Sequence, residues 1–110
     1  EQTAHLDDGI TVEFFNREGK VVSRIRAQRA EIDEKSHDMV VIGDVVLSSS
    51  DSTHLETESL RWHEESETIT GDGKVIIRRS EGIEVGIGFE ATADLKKWTM
   101  REVLTQLKNE

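Results

Sequence analysis

Histidine is the first residue type in this sequence to consider as a metal ligand. The four histidines, His5, His37, His54 and His63, lie in polar turn segments or near a terminus. None of them belongs to an HExxH motif or a comparable metal-ligand spacing. Surface positions therefore explain them better than metal binding does, and the sequence predicts no metal site.

A serine run is the next candidate, because Ser48 to Ser50 with Asp51 and Ser52 could hold a nucleophile. The run lacks the G-x-S-x-G turn that exposes a nucleophilic serine, and it lies where a hairpin loop is expected. The chain contains no cysteine, which excludes a thiol nucleophile. The sequence therefore predicts neither an enzyme nor a cofactor site.

A pair of glycines in "EVGIGFEAT", residues 84–92, resembles a phosphate-binding loop at first sight. The spacing does not match G-x-G-x-x-G, and no helix pattern follows that could hold an anion at its N-terminus. Val85, Ile87 and Phe89 alternate with Gly86 and Gly88, which is the pattern of a strand with one apolar face. The sequence predicts that these three apolar residues face inward and that the glycines leave the outer face bare.

Composition fits one domain over residues 1–110. Only 35% of the residues are hydrophobic and 34% are charged, which favours thin layers of sheet over a thick helical core. The net charge of −9 is unlike that of a nucleic-acid-binding protein. One run, Arg17 to Arg29, carries five basic residues and one acidic residue. It is typical of a solvated strand face, and its role is left open.

Turn signals recur through the chain and separate short segments rich in β-branched and aromatic residues. This pattern is typical of an all-β sandwich, barrel or roll. Ile32, Leu60 and Phe89 occupy equivalent places in three strand-turn-strand units that must pack on one another. We predict flexible segments at 1–8 and 105–110. Residues 101–110 suit a strand or an amphipathic helix, and the repeat favours a strand as far as Val103.

The apolar faces of these strands predict an elongated interior. It is either a filled core or a groove between slightly splayed sheets that accepts acyl chains. The residues assigned to it are Val12, Phe14, Ile25, Ile32, Val45, Leu47, Leu55, Leu60, Trp62, Val75, Ile77, Val85, Ile87, Phe89, Trp98 and Met100.

An open roll also has a first and a last strand that can pair with other chains. We assign the first edge to Ile10, Val12 and Phe14, and the last edge to Trp98, Met100 and Val103. Edge pairing of this kind would also allow a homo-oligomer.

Three ordered segments carry a resemblance that covers nearly the whole chain. They are "VEFFNREGKVVSRIRAQRAEID", "GDVVLSSSDSTHLETESLRW" and "GKVIIRRSEGIEVGIGFEA". Their series resembles the periplasmic domain of the LptC family of lipopolysaccharide export. No single motif is a fingerprint, and the order of the segments is what indicates the family.

The resemblance implies a twisted open β-jellyroll of stacked antiparallel strands whose interior holds the acyl chains of lipopolysaccharide. It further implies that the domain is not an enzyme. Lipopolysaccharide would come from an inner-membrane ABC transporter, whose periplasmic domain meets the first edge, and pass to an LptA-like bridge protein at the last edge. The expected location is the periplasm, with anchoring to the inner membrane by an N-terminal helix that precedes this sequence.

Two other functions stay open at this point. One is a soluble LptA-type bridge protein, which a cleaved signal in place of a retained apolar helix would indicate. The other is an assembly module that binds partners through edge strands and keeps a filled interior.

Overall fold

The computed structural model describes the backbone of residues 2–6 and the whole of residues 9–108. Its elements are strands, and the predicted all-β fold of stacked antiparallel strands is confirmed. The strands are β1 (Gln2–Leu6), β2 (Ile10–Phe15), β3 (Val21–Ala27), β4 (Arg29–Ile32), β5 (Met39–Ser49), β6 (His54–His63), β7 (Thr68–Arg79), β8 (Gly82–Thr92) and β9 (Trp98–Lys108).

All nine strands belong to one antiparallel sheet with the order β1-β2-β3-β5-β6-β7-β8-β9. Strand β4 continues the direction of β3 beyond Gln28 and also pairs with β5, so β3 and β4 together lie along the length of β5. The hairpins β4/β5, β6/β7 and β8/β9 coincide with the three strand-turn-strand units of the sequence. Apart from β3 and β4, which follow one another along β5, neighbouring strands in the chain are therefore neighbours in the sheet.

A line of irregularities crosses the long strands near their middles. The register shifts between Ile42 and Val45 in β5, and between Gly71 and Lys74 in β7. Gly43 and Asp44 have φ of 91° and 45°, backbone conformations that bend the strand. Because these shifts lie beside one another, they fold the sheet into two layers.

We name the two layers by their size. The long layer contains β1, β2, β3 and the segments 45–49, 54–57, 74–79, 82–87 and 102–108, whereas the short layer contains β4 and the segments 39–42, 60–63, 68–71, 89–92 and 98–100.

Contacts between residues distant in the chain hold the layers face to face. The rings of Phe14 in the long layer and Trp62 in the short layer have centroids 4.7 Å apart. The Ser23 hydroxyl donates a hydrogen bond to the Ala93 carbonyl in the turn between β8 and β9. Leu95 in the same turn is buried. The apolar core lies between the two layers.

Both predicted flexible segments contain strand. Gln2–Leu6 pairs with β2 as β1, and β9 runs through the tail as far as Lys108 because its backbone groups pair with β8. The helical alternative for 101–108 is thus wrong. Residues 1, 7 and 8 of the first segment and residues 109 and 110 of the second lie outside the described residues.

Candidate functional site

Most of the residues predicted to line the interior are buried between the two layers. Buried residues from that list are Val12, Phe14, Ile25, Val45, Leu47, Leu55, Leu60, Trp62, Val75, Ile77 and Phe89. Many of them are 0–2% exposed, so the layers contact each other directly over β5, β6 and β7. We call this part of the interior the closed section.

Val85 and Ile87 do not belong to the inner face, and the prediction for them is wrong. Gly86 lies opposite Val75, which is fully buried, so Gly86 shares the inner face, and Val85 and Ile87 flank it on the other side. Gly88 has φ of 78°, which breaks the alternation and returns Phe89 to the interior. Gly86, and not Val85 or Ile87, therefore occupies the inner position.

Close packing explains why glycine stands at position 86. A Cβ atom there would overlap the Met100 sulfur and would lie 2.5 Å from the Glu102 carbonyl oxygen. Strand β9 can thus approach the interior of β8 more closely than a side chain would permit.

Ile32 lies on the inner face but is not enclosed. It pairs with the buried Met39, yet it is 62% exposed because β4 is short and lies at the rim of the short layer. Sequence reasoning in turn missed Met39, Val41 and Ile69, which are buried. The apolar run "MVVI" contains the first two, but it does not show which of its residues face inward.

The first edge of the sheet differs from the prediction. Strand β2 pairs with β1 on one side and with β3 on the other, so Ile10, Val12 and Phe14 lie inside the sheet. The last edge is β9, as expected, and this strand pairs only with β8 among the described residues. Val103, Leu104 and Leu107 on this edge are 48–61% exposed.

The interior opens toward β9. Trp98 and Met100 are half-buried and pack against the core. Val103 pairs with Gly86 on the inner face but is 50% exposed. The rings of Phe89 and Trp98 stack with centroids 6.3 Å apart. We call this region the open end, because it brings inner apolar side chains into contact with solvent.

A polar cluster lies beside these apolar residues at the open end. Glu84 pairs with Ile77 and so faces inward, and its side chain is 15% exposed. The Glu84 carboxylate accepts hydrogen bonds from the Arg79 guanidinium at 3.0 Å and the Gln106 amide at 3.2 Å. The Arg79 guanidinium carbon lies 5.2 Å from the centroid of the Trp98 ring.

His54, His63 and Ser48, which were among the candidates for chemistry, make contacts within the fold. His63 contacts Asp38 at 3.5 Å and shares a hydrogen bond with Thr70, and His54 shares one with Ser48. The Glu64 backbone N–H, with the Arg61 guanidinium, lowers the pKa of Asp38. Among residues 9–108, no group of His, Asp and Glu could hold a metal ion.

The basic run does not form a single anion site. Arg24 forms an ion pair with Glu13 at 2.6 Å across β2 and β3, whereas Arg17 and Lys20 lie in the exposed β2–β3 turn. Within the described part of the chain, no helix is long and apolar enough to cross a membrane.

Comparison with known families gives one match. The chain matches the family described as LptC, lipopolysaccharide-assembly, LptC-related, over residues 2–107. A search of curated proteins finds no match to this chain. Since the family model spans nearly every residue of the two-layered sheet, this chain belongs to the LptC-related family of lipopolysaccharide-assembly proteins.

Proposed function

We propose that this domain binds lipopolysaccharide in the periplasm as part of the Lpt export machinery. It accepts the lipid from the inner-membrane ABC transporter and passes it to an LptA-like bridge protein. Family membership implies a part in lipopolysaccharide transport. The open end supports the finer role, because Val103 presents an apolar side chain of the inner face to solvent at 50% exposure.

Acyl chains suit this end of the interior on energetic grounds. Burial of each methylene contributes about 0.8 kcal/mol, and a chain lying beside Trp98 and Met100 would extend the existing core. The closed section already has its apolar side chains in mutual contact. Lipid therefore enters beside β9 and reaches further only if the layers part. This role requires no chemical step within the domain.

Site-specific photocrosslinking tests lipid binding. A photoreactive amino acid replaces Met100 or Val103 on the inner face, and Arg101 or Thr105 serves as the matched control on the same strand. We expect adducts with purified lipopolysaccharide from the two inner positions and at least fivefold fewer from the controls. Equal yields at all four positions, or none, would overturn the carrier role.

Partner binding through β9 is the second part of the proposal. The bridge protein would add a strand along this edge, where Leu104 and Leu107 are exposed, and the transporter's periplasmic domain would meet the β1 end of the sheet. Anchoring to the inner membrane would hold that end beside the transporter. Lysine blunts an edge strand, so Leu104→Lys with Leu107→Lys should abolish capture of an LptA-like protein. Ile32→Lys, which replaces an equally exposed apolar side chain on β4, is the control, and retained capture by the double variant would remove this edge from the proposal.

One alternative function has direct support from the closed section. Direct contact of the two layers over β5 to β7 favours a module that assembles through its edges and binds no lipid. The two experiments separate these functions. Loss of bridge capture on β9 substitution together with no lipid adduct would select the assembly module.

A further inference from the structure

Arg79 occupies a position that joins the two layers at the open end. It is the last residue of β7 in the long layer, whereas Trp98 belongs to the short layer. The guanidinium carbon lies 5.2 Å from the Trp98 ring centroid, within the range of a cation–π contact. This side chain therefore crosses the mouth through which an acyl chain would reach the core.

Glu84 holds Arg79 in this position. The distance from Arg79 Nη2 to Glu84 Oε1 is 3.0 Å, and the same carboxylate oxygen accepts a hydrogen bond from Gln106 at 3.2 Å. The arrangement ties three strands, β7, β8 and β9, to the short layer through a single arginine. Breaking the Arg79–Glu84 pair would free the guanidinium to leave Trp98.

The guanidinium also has hydrogen-bonding capacity that its protein partners do not use. Arg79 Nε is buried and donates no hydrogen bond, and the nearest Glu81 carboxylate oxygen is 3.9 Å away. A guanidinium presents five donors in a planar fork that matches phosphate bidentately. A phosphate can therefore satisfy this nitrogen in a way that the present contacts do not.

We propose that Arg79 is a latch across the open end, which a phosphate monoester releases by replacing Glu84 as the partner of the guanidinium. This proposal rests on the proposed function, since the phosphate of a lipid headgroup would arrive with the acyl chains that the open end accepts. The lipid thus opens the mouth that it enters, and an unphosphorylated amphiphile does not. Arg79 would be the residue that selects phosphorylated lipid.

The neighbouring arginine provides a matched control. Arg78 pairs with His54 and Ile83 on the outer face of the sheet and forms an ion pair with Glu56 at 2.8 Å. It has the same charge as Arg79 but lies on the opposite face of the sheet. Arg78→Gln therefore removes one positive charge without touching the mouth.

Fluorine NMR can follow the latch, because the chain contains two tryptophans. The protein is labelled with 5-fluorotryptophan, and Trp98→Phe assigns the two signals. We expect Arg79→Gln to increase the solvent isotope shift of the Trp98 signal and to raise the half-saturating concentration of bisphosphorylated lipid A about tenfold, the size of one charge-assisted hydrogen bond. Arg78→Gln should match the wild type in both measurements.

Two further variants separate the latch from a general loss of structure. Arg79→Lys keeps the charge but loses the planar fork. It should therefore give the same Trp98 signal and the same half-saturating concentration of lipid A as Arg79→Gln, and its urea midpoint should equal that of the wild type. Glu84→Gln weakens the hold on Arg79 and should lower the half-saturating concentration of lipid A. If Arg79 and Arg78 variants give the same Trp98 signal and the same lipid A affinity, the latch is overturned.

Inorganic phosphate and dephosphorylated lipid identify the source of the anion. A shift of the Trp98 signal with lipid A alone assigns release to a lipid headgroup, and an equal shift with inorganic phosphate assigns it to free phosphate. A shift with neither, or an equal shift with dephosphorylated lipid, would contradict phosphate release. If Met100 still crosslinks to lipopolysaccharide in that case, the latch fails while the proposed function stands. If Met100 gives no adduct but Arg79→Gln exposes Trp98, the proposed function fails while the link between the layers stands.

Discussion

The closed section and the open end are built from the same hairpin unit but differ in how their inner faces end. In the closed section, inner side chains such as Leu47 and Leu55 are fully buried against the opposite layer. At the open end, Trp98 and Met100 are only half-buried, and Glu84 and Gln106 bring polar groups onto the inner face. The difference indicates that one part of the interior is a filled core, while the other leaves apolar surface exposed at the place where we propose that lipid binds.

Truncation of a core side chain should expose this difference most strongly. Leu47→Ala removes side-chain atoms from a fully buried position and leaves a cavity, so we expect a loss of about 3 kcal/mol in the free energy of unfolding. Met100→Ala at the open end should cost only about 1 kcal/mol, because its side chain already meets solvent. Urea unfolding measures both. Equal losses would mean that the open end is as tightly packed as the closed section.

Glycine 86 marks the boundary between the two regions and gives the next largest effect. Gly86→Ala places a Cβ against the Met100 sulfur and the Glu102 carbonyl, so β9 must shift, at a cost of roughly 2 kcal/mol. Gly73→Ala is the control, since nothing lies within 4 Å of its added Cβ. It should be neutral or slightly stabilising. A neutral Gly86→Ala in urea unfolding would show that β9 does not depend on this close approach.

Strand alternation made the closed section predictable and the boundary unpredictable. Val45 with Leu47, and Val75 with Ile77, lie two residues apart along their strands, so the two-residue period of a strand placed each pair on one face. Around Gly88 the pattern fails, because the positive φ of Gly88 reverses which face of the strand the following residues occupy. An alternating series also fits equally well with either set of residues facing inward. Neither Val85 nor Ile87 carries a sequence signal that shows which face of the strand it occupies.

Other features depended on contacts between residues distant in the chain. Leu95 lies in a polar turn, and nothing in its neighbours indicates that it is buried. The two-residue period that runs from Val75 through Ile77 already places Arg79, and not Arg78, on the inner face. The contact of Arg79 with Trp98 forms only because the sheet folds over, and local pattern does not encode it.

Charge at the last edge should have a small effect on stability and a large one on ligand binding. Val103 is 50% exposed, so Val103→Lys should change the free energy of unfolding by less than about 1 kcal/mol. The ammonium would lie where we propose that acyl chains enter, and lipopolysaccharide binding should fall at least fivefold in a pull-down. Thr105→Lys adds the same charge on the outer face. Equal binding by the two variants would contradict a distinct inner surface at this end.

The smallest expected effect concerns the stability of the fold at acid pH, to which Asp38 contributes. The Asp38 carboxylate accepts the Glu64 backbone N–H at 3.0 Å and an Arg61 hydrogen bond at 3.2 Å, so it joins the β4–β5 turn to the β6–β7 turn. These contacts lower its pKa below 3.8 in the folded state. A lowered pKa contributes stability above pH 3.8 that is lost as the pH falls through the folded value.

Asp38→Asn should therefore destabilise the protein at pH 7, and its difference in stability from the wild type should shrink toward acid pH. Thermal unfolding at a series of pH values would show the two melting temperatures converging as the pH falls below 4. Glu65→Gln, an exposed carboxylate in the β6–β7 turn, is the control and should shift neither curve. A constant difference between Asp38→Asn and the wild type from pH 7 to pH 2 would mean that the side chain stabilises the turns by shape and not by charge. Only the charge-dependent result would make this link between hairpins sensitive to acid.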